Sequence, residues 1–534
     1  MSSNSIDVKS LIIPMDDEYA QYLKDESRSI GQAQSISFPN TEAEIAAIVC
    51  ELSSQGTRIT VQGGRTGISA GAVPNGGHVM NLGRMTDVLG LRIDSDGNFC
   101  VRVEPGLALS TLREMLENRK LECTFCDEVS RDAHQKFTKA PEQFFPTDPT
   151  ETSATFGGIA ACNSSGARSY LYGPVRPFVT ALRIVLADGQ TLALERGKVL
   201  AVGRKLTLHT EQGKQLEVPL PSYNLPQTKN ASGYYTEDNM DAIDLFIGSD
   251  GTLGIITDVE IKLLPNPSVI WGISCFPSDE MQAVNLVEML RQRIGQIAAI
   301  EYFDESALEI LREQKAAGNF AQMPEIPSEH GTCVYCELHC DSESDAEERI
   351  LLINDIYAEL GIDESSTWMT STAKERAQMA ELRHAVPESV NLLIDQRKKI
   401  DPVIIKLGSD MSVPRTPGRL MEVVKMYRQS VAERNLQTAV WGHIGDNHVH
   451  VNVLPHNAEE YEKGKEMFQE WAKIISEQGG AVSAEHGAGK LKAGLIKIMY
   501  GEESLREMAQ TKASLDPKGL LGVNNLFSEE FLQS

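Results

Sequence analysis

The spacing of apolar residues divides the chain into stretches of different period. After Thr41, Ile45, Ile48, Val49 and Leu52 recur at i, i+3, i+4 and i+7, which predicts a helix with one buried face. Thr41 with Glu44 three positions on supplies a capping box at its start. A β-rich run, RITVQ, follows and breaks into glycine, and short strands between glycine-rich loops continue to about residue 265. Residues 112–143 interrupt that pattern; polar and charged, they read as a surface insertion. From about 268 to 500 the period lengthens. EMQAVNLVEMLRQRI, DAEERILLINDIYAEL and PGRLMEVVKMYRQSVAERN are amphipathic helical stretches, alternating with strands such as GTCVYCELHC and TAVWGHIG. Such alternation predicts an α+β domain with helices on one face of an antiparallel sheet. The remainder, ending LDPKGLLGVNNLF, reads as a helix and a short loop. The expected division is therefore an extension over 1–35, a first domain over 36–266, a second over 267–500 and a C-terminal segment over 501–534.

Composition narrows the classes. The 534 residues are 41% hydrophobic and 23% charged, values of a globular chain of about three domains. Lys and Arg number 50 against 75 Asp and Glu, a net charge of −25. Such a field repels phosphate backbones and anionic lipid, so nucleic acid is not an expected partner. No run approaches the ~18 apolar residues of a spanning helix, so no transmembrane anchor is expected. The N-terminal patch LIIPM is interrupted by proline and followed by acids, unlike a secretory signal. Nine scattered cysteines, an odd number, suggest reduced thiols and a cytoplasmic location. Cys333, Cys336 and Cys340 allow an iron–sulfur remnant, but a strand whose small apolar positions are cysteine is the preferred reading. Cys123 and Cys126 form a lone CxxC with no second pair at zinc-ribbon spacing.

The glycine loop VQGGRTGISAGAVP, residues 61–74, frees the backbone to turn N–H groups toward an anion. It has neither the Gly-Lys-Ser/Thr of a Walker loop nor GxGxxG after a strand. Two further glycine segments follow: FPTDPTETSATFGGIAACNSSGARSYLYG over 145–173, with short polar side chains suited to a ring edge and hydroxyls, and IGSDGTLGIIT over 247–257. In order and spacing the three resemble the FAD-binding domain of the vanillyl-alcohol-oxidase/PCMH flavoproteins. The likeness is to the FAD-linked oxidase branch containing D-lactate, glycolate and D-2-hydroxyglutarate oxidising enzymes, and runs from about residue 25 to the end. It implies a PCMH-type FAD domain, an α+β cap and a C-terminal segment returning to the flavin. It also implies that Gly63, Gly64, Arg65, Thr66, Gly67 and Ile68 cradle the FAD pyrophosphate. Pro146, Asp148, Thr152, Thr155, Gly158 and Asn163 would line the isoalloxazine, and Ile256 would add a late contact. The charge of Arg65 is available to pair with the pyrophosphate. Where the family ends in Asn-Pro-Gly, this chain has Gly522, Val523 and Asn524.

WGHIGDNHVHVNVLP gathers three of the eleven histidines, His443, His448 and His450, into eight residues. GDN reads as a turn, after which His448, His450 and Asn452 alternate onto one strand face. AVSAEHGAGK later supplies Glu485 and His486 beside a glycine loop. Imidazoles with a carboxylate form a catalytic divalent-metal set, zinc first and iron or manganese next; the other reading is a hydrogen-bonded hairpin. Metal-dependent members of the resembling family carry Gly-His-x-Gly-Asp-Gly-Asn-x-His-x-Asn and a later Glu-His. That pattern implies His443, His450 and Glu485 as ligands and His486 as the base. Asn447 replaces its second glycine and His448 its asparagine, so His448 stands as a supporting donor or a rival ligand.

The chemistry expected is oxidation of a small 2-hydroxy acid. A cation lowers the hydroxyl pKa, a histidine titrating near neutrality takes the proton, and hydride passes to the flavin. Arg383 and Lys406 resemble the family's carboxylate-binding pair, with Asn452 beside them. Pro387 stands where some relatives place a hydroxyl for a second carboxylate, which favours a short acid such as D-lactate over hydroxyglutarate; oxidation of D-2-hydroxyglutarate or of glycolate is the alternative. With no nicotinamide fingerprint, the acceptor is expected to be a redox protein or a quinone; a homodimer is left open. The competing classes are a flavin-dependent transferase of the alkyl-glycerone-phosphate synthase type, a non-catalytic electron relay and a structural metal module.

Overall fold

The computed structural model describes residues 6–121, 123 and 127–532. Cys126 of the lone CxxC lies outside the described residues, as do residues 1–5 of the N-terminal extension and the last two residues.

The helix predicted from the apolar spacing spans Glu42–Ser54 and buries Ile45, Ile48, Val49 and Leu52. Thr41 Oγ1 accepts from the Glu44 N–H, while the Glu44 carboxylate reaches one residue further back, to the Asn40 N–H. This helix crosses from strand Ser35–Ser37 to strand Ile59–Gln62, both parallel to His78–Asn81 between them, with Ile13–Pro14 on the outer edge. Strand Ile59–Gln62 therefore delivers the chain directly into the glycine loop.

A second sheet is antiparallel, in the order Val88–Ile93, Phe99–Val103, Ile255–Lys262, Val179–Val185, Thr191–Glu195. The stretch read as a surface insertion instead adds helices Leu109–Glu117 and Glu128–Phe137 to this core. Leu112, Leu116, Ala133 and Phe137 are buried, and Phe137 meets Phe99 edge-on at 5.4 Å. The reason is amphipathicity: each helix turns a few apolar residues inward and its charges outward.

The third sheet has seven antiparallel strands, with Cys333–Cys340 between Val269–Cys275 and Ile297–Phe303, and Thr438–Gly442, His450–Val453 and Leu407–Gly408 beyond. Strand Cys333–Cys340 is buried along its whole length. Val334, Cys336 and Leu338 pack with helices Glu280–Arg293 and Glu343–Leu360, whereas Cys333 and Tyr335 pack with Glu305–Ala316 and Ala373–Lys398. Helices thus cover both faces rather than one, which is why this strand reads as nearly continuous apolar residues. The cysteines sit in this strand with free thiols.

The C-terminal helix Ala493–Leu515 breaks at Gly501, whose φ of 77° lies outside helical space. Beyond it the chain returns to the first sheet: Ile59 bridges Leu521, and Asn525 donates to Gly71 O and Asp250 O.

Candidate active site

Between the glycine loop and the third sheet lies a cavity of about 810 Å³. Gly63, Gly64, Arg65, Thr66, Gly67 and Ile68 form one wall with Thr155, Gly158 and Ile256; Arg383, Lys406, His443, His450, Asn452, Glu485 and His486 line another part. Pro146, Asp148, Thr152, Asn163 and His448 are not among the residues that line it.

The glycines are required by close approach. A Cβ on Gly63 would fall 2.1 Å from Thr155 Oγ1, and one on Gly64 2.7 Å from Ser153 O, whereas a Cβ on Gly67 would meet no protein atom within 4 Å. Thr155 Oγ1 is buried without a hydrogen-bond partner. A bare backbone loop facing open space beside an unsatisfied hydroxyl fits a bound phosphate-bearing group. The Arg65 guanidinium is turned instead to the N-terminal segment, stacked 4.4 Å over the Tyr22 ring and donating to Gln21 O. Asp148 is held by arginines, 2.7 Å from Arg113 and 3.5 Å from Arg383, and those cations with Arg168 keep its carboxyl well below the usual range despite burial. Asn163 accepts from the Arg176 N–H and donates to Asn230 O, tying the glycine segment to its neighbours.

The histidine hairpin is built by a single 3₁₀ turn, Ile444–Asp446, ended by Asn447 in the left-handed region. Arg291 fixes that turn through Ile444 O and Asn447 Oδ1. The Nε2 atoms of His443, His450 and His486 approach Glu485 Oε1 at 3.1, 3.3 and 3.2 Å. One carboxylate oxygen has too few lone pairs to satisfy three imidazoles. A divalent cation placed among these groups resolves the crowding, so the residues present fit a metal. His443, His448, His450 and Glu485 offer ligand atoms within 4.8 Å of one another. His443 Nδ1 lies 2.7 Å from Glu301, the outer carboxylate that orients a ligating imidazole. Burial opposes protonation of His443, but Glu301 and Glu485 outweigh it and raise its pKa to about 9; burial drives the pKa of His450 down. His448 Nε2 is 2.9 Å from Asp410, though neither ring nitrogen forms an aligned hydrogen bond. Asp410 also sits 3.5 Å from His486 Nδ1 and pairs with Lys492.

The sequence reading brought the cavity-lining glycines, histidines and Glu485 together; it missed Lys229, Glu301 and Asp410. Lys229 Nζ lies 2.6 Å from Glu485 Oε2. These three lack a local signal, because each reaches the site from a separate loop or strand.

Fold and site together are those of a flavoprotein oxidoreductase. The family described as FAD linked oxidases, C-terminal domain, matches residues 267–524, and the FAD binding domain matches residues 33–126 and 129–195. The chain belongs to the FAD-linked oxidases of the VAO/PCMH group. It is 24% identical over 497 residues to glycolate oxidase subunit GlcD of Bacillus subtilis, covering 92% of this chain and 88% of that one. A D-lactate dehydrogenase of Anaerostipes hadrus is 26% identical over 484 residues, covering 90% and 86%. A D-2-hydroxyglutarate dehydrogenase of Stutzerimonas stutzeri is 22% identical over 522 residues, covering 96% and 95%. Among solved structures, p-cresol methylhydroxylase with substrate bound superposes with a TM-score of 0.65 at 14% identity, covering 98% and 95%. An alkyldihydroxyacetonephosphate synthase gives 0.62 at 14% identity, covering 97% and 83%. These last two likenesses are of fold. No helix among the described residues is long and apolar enough to cross a membrane.

Proposed function

We propose that the protein oxidises a short D-2-hydroxy acid of the D-lactate type to the 2-oxo acid, using FAD and a divalent cation, and passes electrons to an acceptor other than NAD. The observation that carries this reading is the single cavity bounded by the glycine loop on one side and by His443, His450, Glu485 and His486 on the other. The names of the relatives, D-lactate and D-2-hydroxyglutarate dehydrogenases among them, support the substrate class.

When bound, FAD supplies a hydride acceptor, and a divalent cation supplies acidification of the substrate hydroxyl. His443, His450 and Glu485 are the ligands proposed for the cation, with His448, 2.9 Å from Asp410, beside them. His486 faces the cavity beside Glu485 and takes the hydroxyl proton on Nε2. Arg383, steadied by Asp148, and Lys406 bind the substrate carboxylate, and Asn452 borders the same space. Pro387, also on the cavity wall, has no hydroxyl to offer a second carboxylate, which supports a short acid.

The test is anaerobic titration of the FAD-loaded protein with D- and L-2-hydroxy acids, before and after chelation, following flavin absorbance. One D-acid is expected to bleach the flavin and chelation to abolish the bleaching. His486→Ala is expected to keep both groups while reduction slows by about 10²–10⁴-fold. Full reduction in exhaustively demetallated protein would remove the cation from the reading.

A further inference from the structure

We propose that Lys229 is a positioning residue that confines Glu485 to ligation through one oxygen, an inference that rests on the metal reading above. Lys229 Nζ and Glu485 Oε2 are 2.6 Å apart, and both side chains are only 5% exposed. Nζ also donates to Gly166 O at 3.4 Å, and Ser165 Oγ donates to the same Oε2 at 3.4 Å. The base of Lys229 is fixed as well, because its carbonyl accepts from Ser412 Oγ at 2.7 Å. Oε2 is thus engaged by a buried ammonium and a hydroxyl, while Oε1 alone faces the three imidazole Nε2 atoms.

That division of labour has a chemical consequence. A carboxylate bound to a cation through both oxygens occupies two coordination positions. Swinging Oε2 toward the cation requires breaking a charge-assisted hydrogen bond between two side chains that are each only 5% exposed. With Oε2 held back, the second position stays open, and an open position is what distinguishes a catalytic site from a closed structural one. The tether also joins distant parts of the molecule: Ser165 and Gly166 come from the segment matching the FAD binding domain, Lys229 from the chain between the two matched domains, and Glu485 from the C-terminal domain. The proposed metal ligand is thus set by residues outside its own domain.

Cobalt(II) replaces the native cation in the FAD-loaded protein, and its visible d–d spectrum reports coordination number. Wild type and Lys229→Met are each expected to bind cobalt. The variant's absorption should be weaker, as a second Glu485 oxygen joins the ion, with turnover down about 10- to 100-fold. Lys229→Arg, which keeps the charge and a donor, should recover the wild-type spectrum. If Lys229→Met does not accumulate as folded protein, Lys229→Gln, of similar length and neutral, undergoes the same measurement. A wild-type cobalt spectrum in the neutral variant overturns the proposal, whatever happens to turnover. So does loss of cobalt from a variant that stays folded and flavin-bound, because that assigns Lys229 to affinity and not to denticity. Wild-type protein that takes up no cobalt overturns the metal reading itself.

Discussion

At the scale of single residues, Lys406 is a group whose charge responds to pH in a working range. It lines the cavity, and no carboxylate among the described residues is in ion-pair contact with it. Burial, with Arg28 adding repulsion, lowers its pKa from the lysine value of 10.5 to about 8. Below that pH it is a cation able to hold a substrate carboxylate; above it the ammonium loses its proton and the attraction goes. Because kcat/KM reports the free enzyme, it should fall about tenfold per unit as pH rises beyond roughly 8. Lys406→Arg keeps its charge across this range and should move the falling limb upward by more than one unit. An unmoved limb in that variant would take Lys406 out of substrate binding. The residues behind this site were unequally legible in the sequence. His443, His448 and His450 fall in one short window, and Glu485 adjoins His486, so local spacing exposed them. Lys229, Glu301 and Asp410 have ordinary neighbours in sequence and acquire meaning only through contacts made across the fold.

At the scale of elements, the glycine loop works because a parallel strand ends where another backbone segment passes close by. Gly63 and Gly64 lie against Thr155 and Ser153, and side chains there would collide with them. Gly63→Ala should therefore strain the protein itself, by about 1–3 kcal/mol, and lower both apoprotein melting temperature and FAD affinity. Gly67→Ala is the informative contrast. Its Cβ would enter space that holds no protein atom, so the apoprotein should melt as wild type while FAD affinity falls. Unchanged FAD affinity in Gly67→Ala would place the cofactor elsewhere. Local pattern also had limits at this scale. The period of Ile45, Ile48, Val49 and Leu52 gave the helix Glu42–Ser54, since one amphipathic face is a local property. Helices on both faces of the seven-stranded sheet were not legible, because which strand lies between which helices is settled by long-range pairing. The helices near residues 109–137 escaped notice because a few buried apolar residues are outnumbered by charges on their exposed sides.

At the scale of the whole molecule, the glycine loop and Glu485, the proposed metal ligand, are linked through one short segment. Ser69, in the glycine loop, donates to His486 O at 2.8 Å and accepts through its own carbonyl from the Lys490 N–H at 3.0 Å. Asp250 accepts from the Ala488 and Gly489 N–H groups at 2.9 and 2.8 Å, and Lys490 reaches Ala70 O and Asn525. Residues 485–490 are thus pinned to the FAD-binding half at one end and present Glu485 and His486 to the cap histidines at the other. On the proposed roles, FAD binding that orders the glycine loop orders this segment as well, and cation binding does the same from its own side. Thermodynamic linkage then requires the two effects to be equal. A coupling of about 1 kcal/mol, roughly fivefold, is expected in each direction. Calorimetric titration of cation into protein with and without FAD, and of FAD with and without cation, measures both arms. The two ratios should agree and exceed one. Ratios of one in both arms would mean that the shared segment is already rigid and that the cavity's two walls load independently.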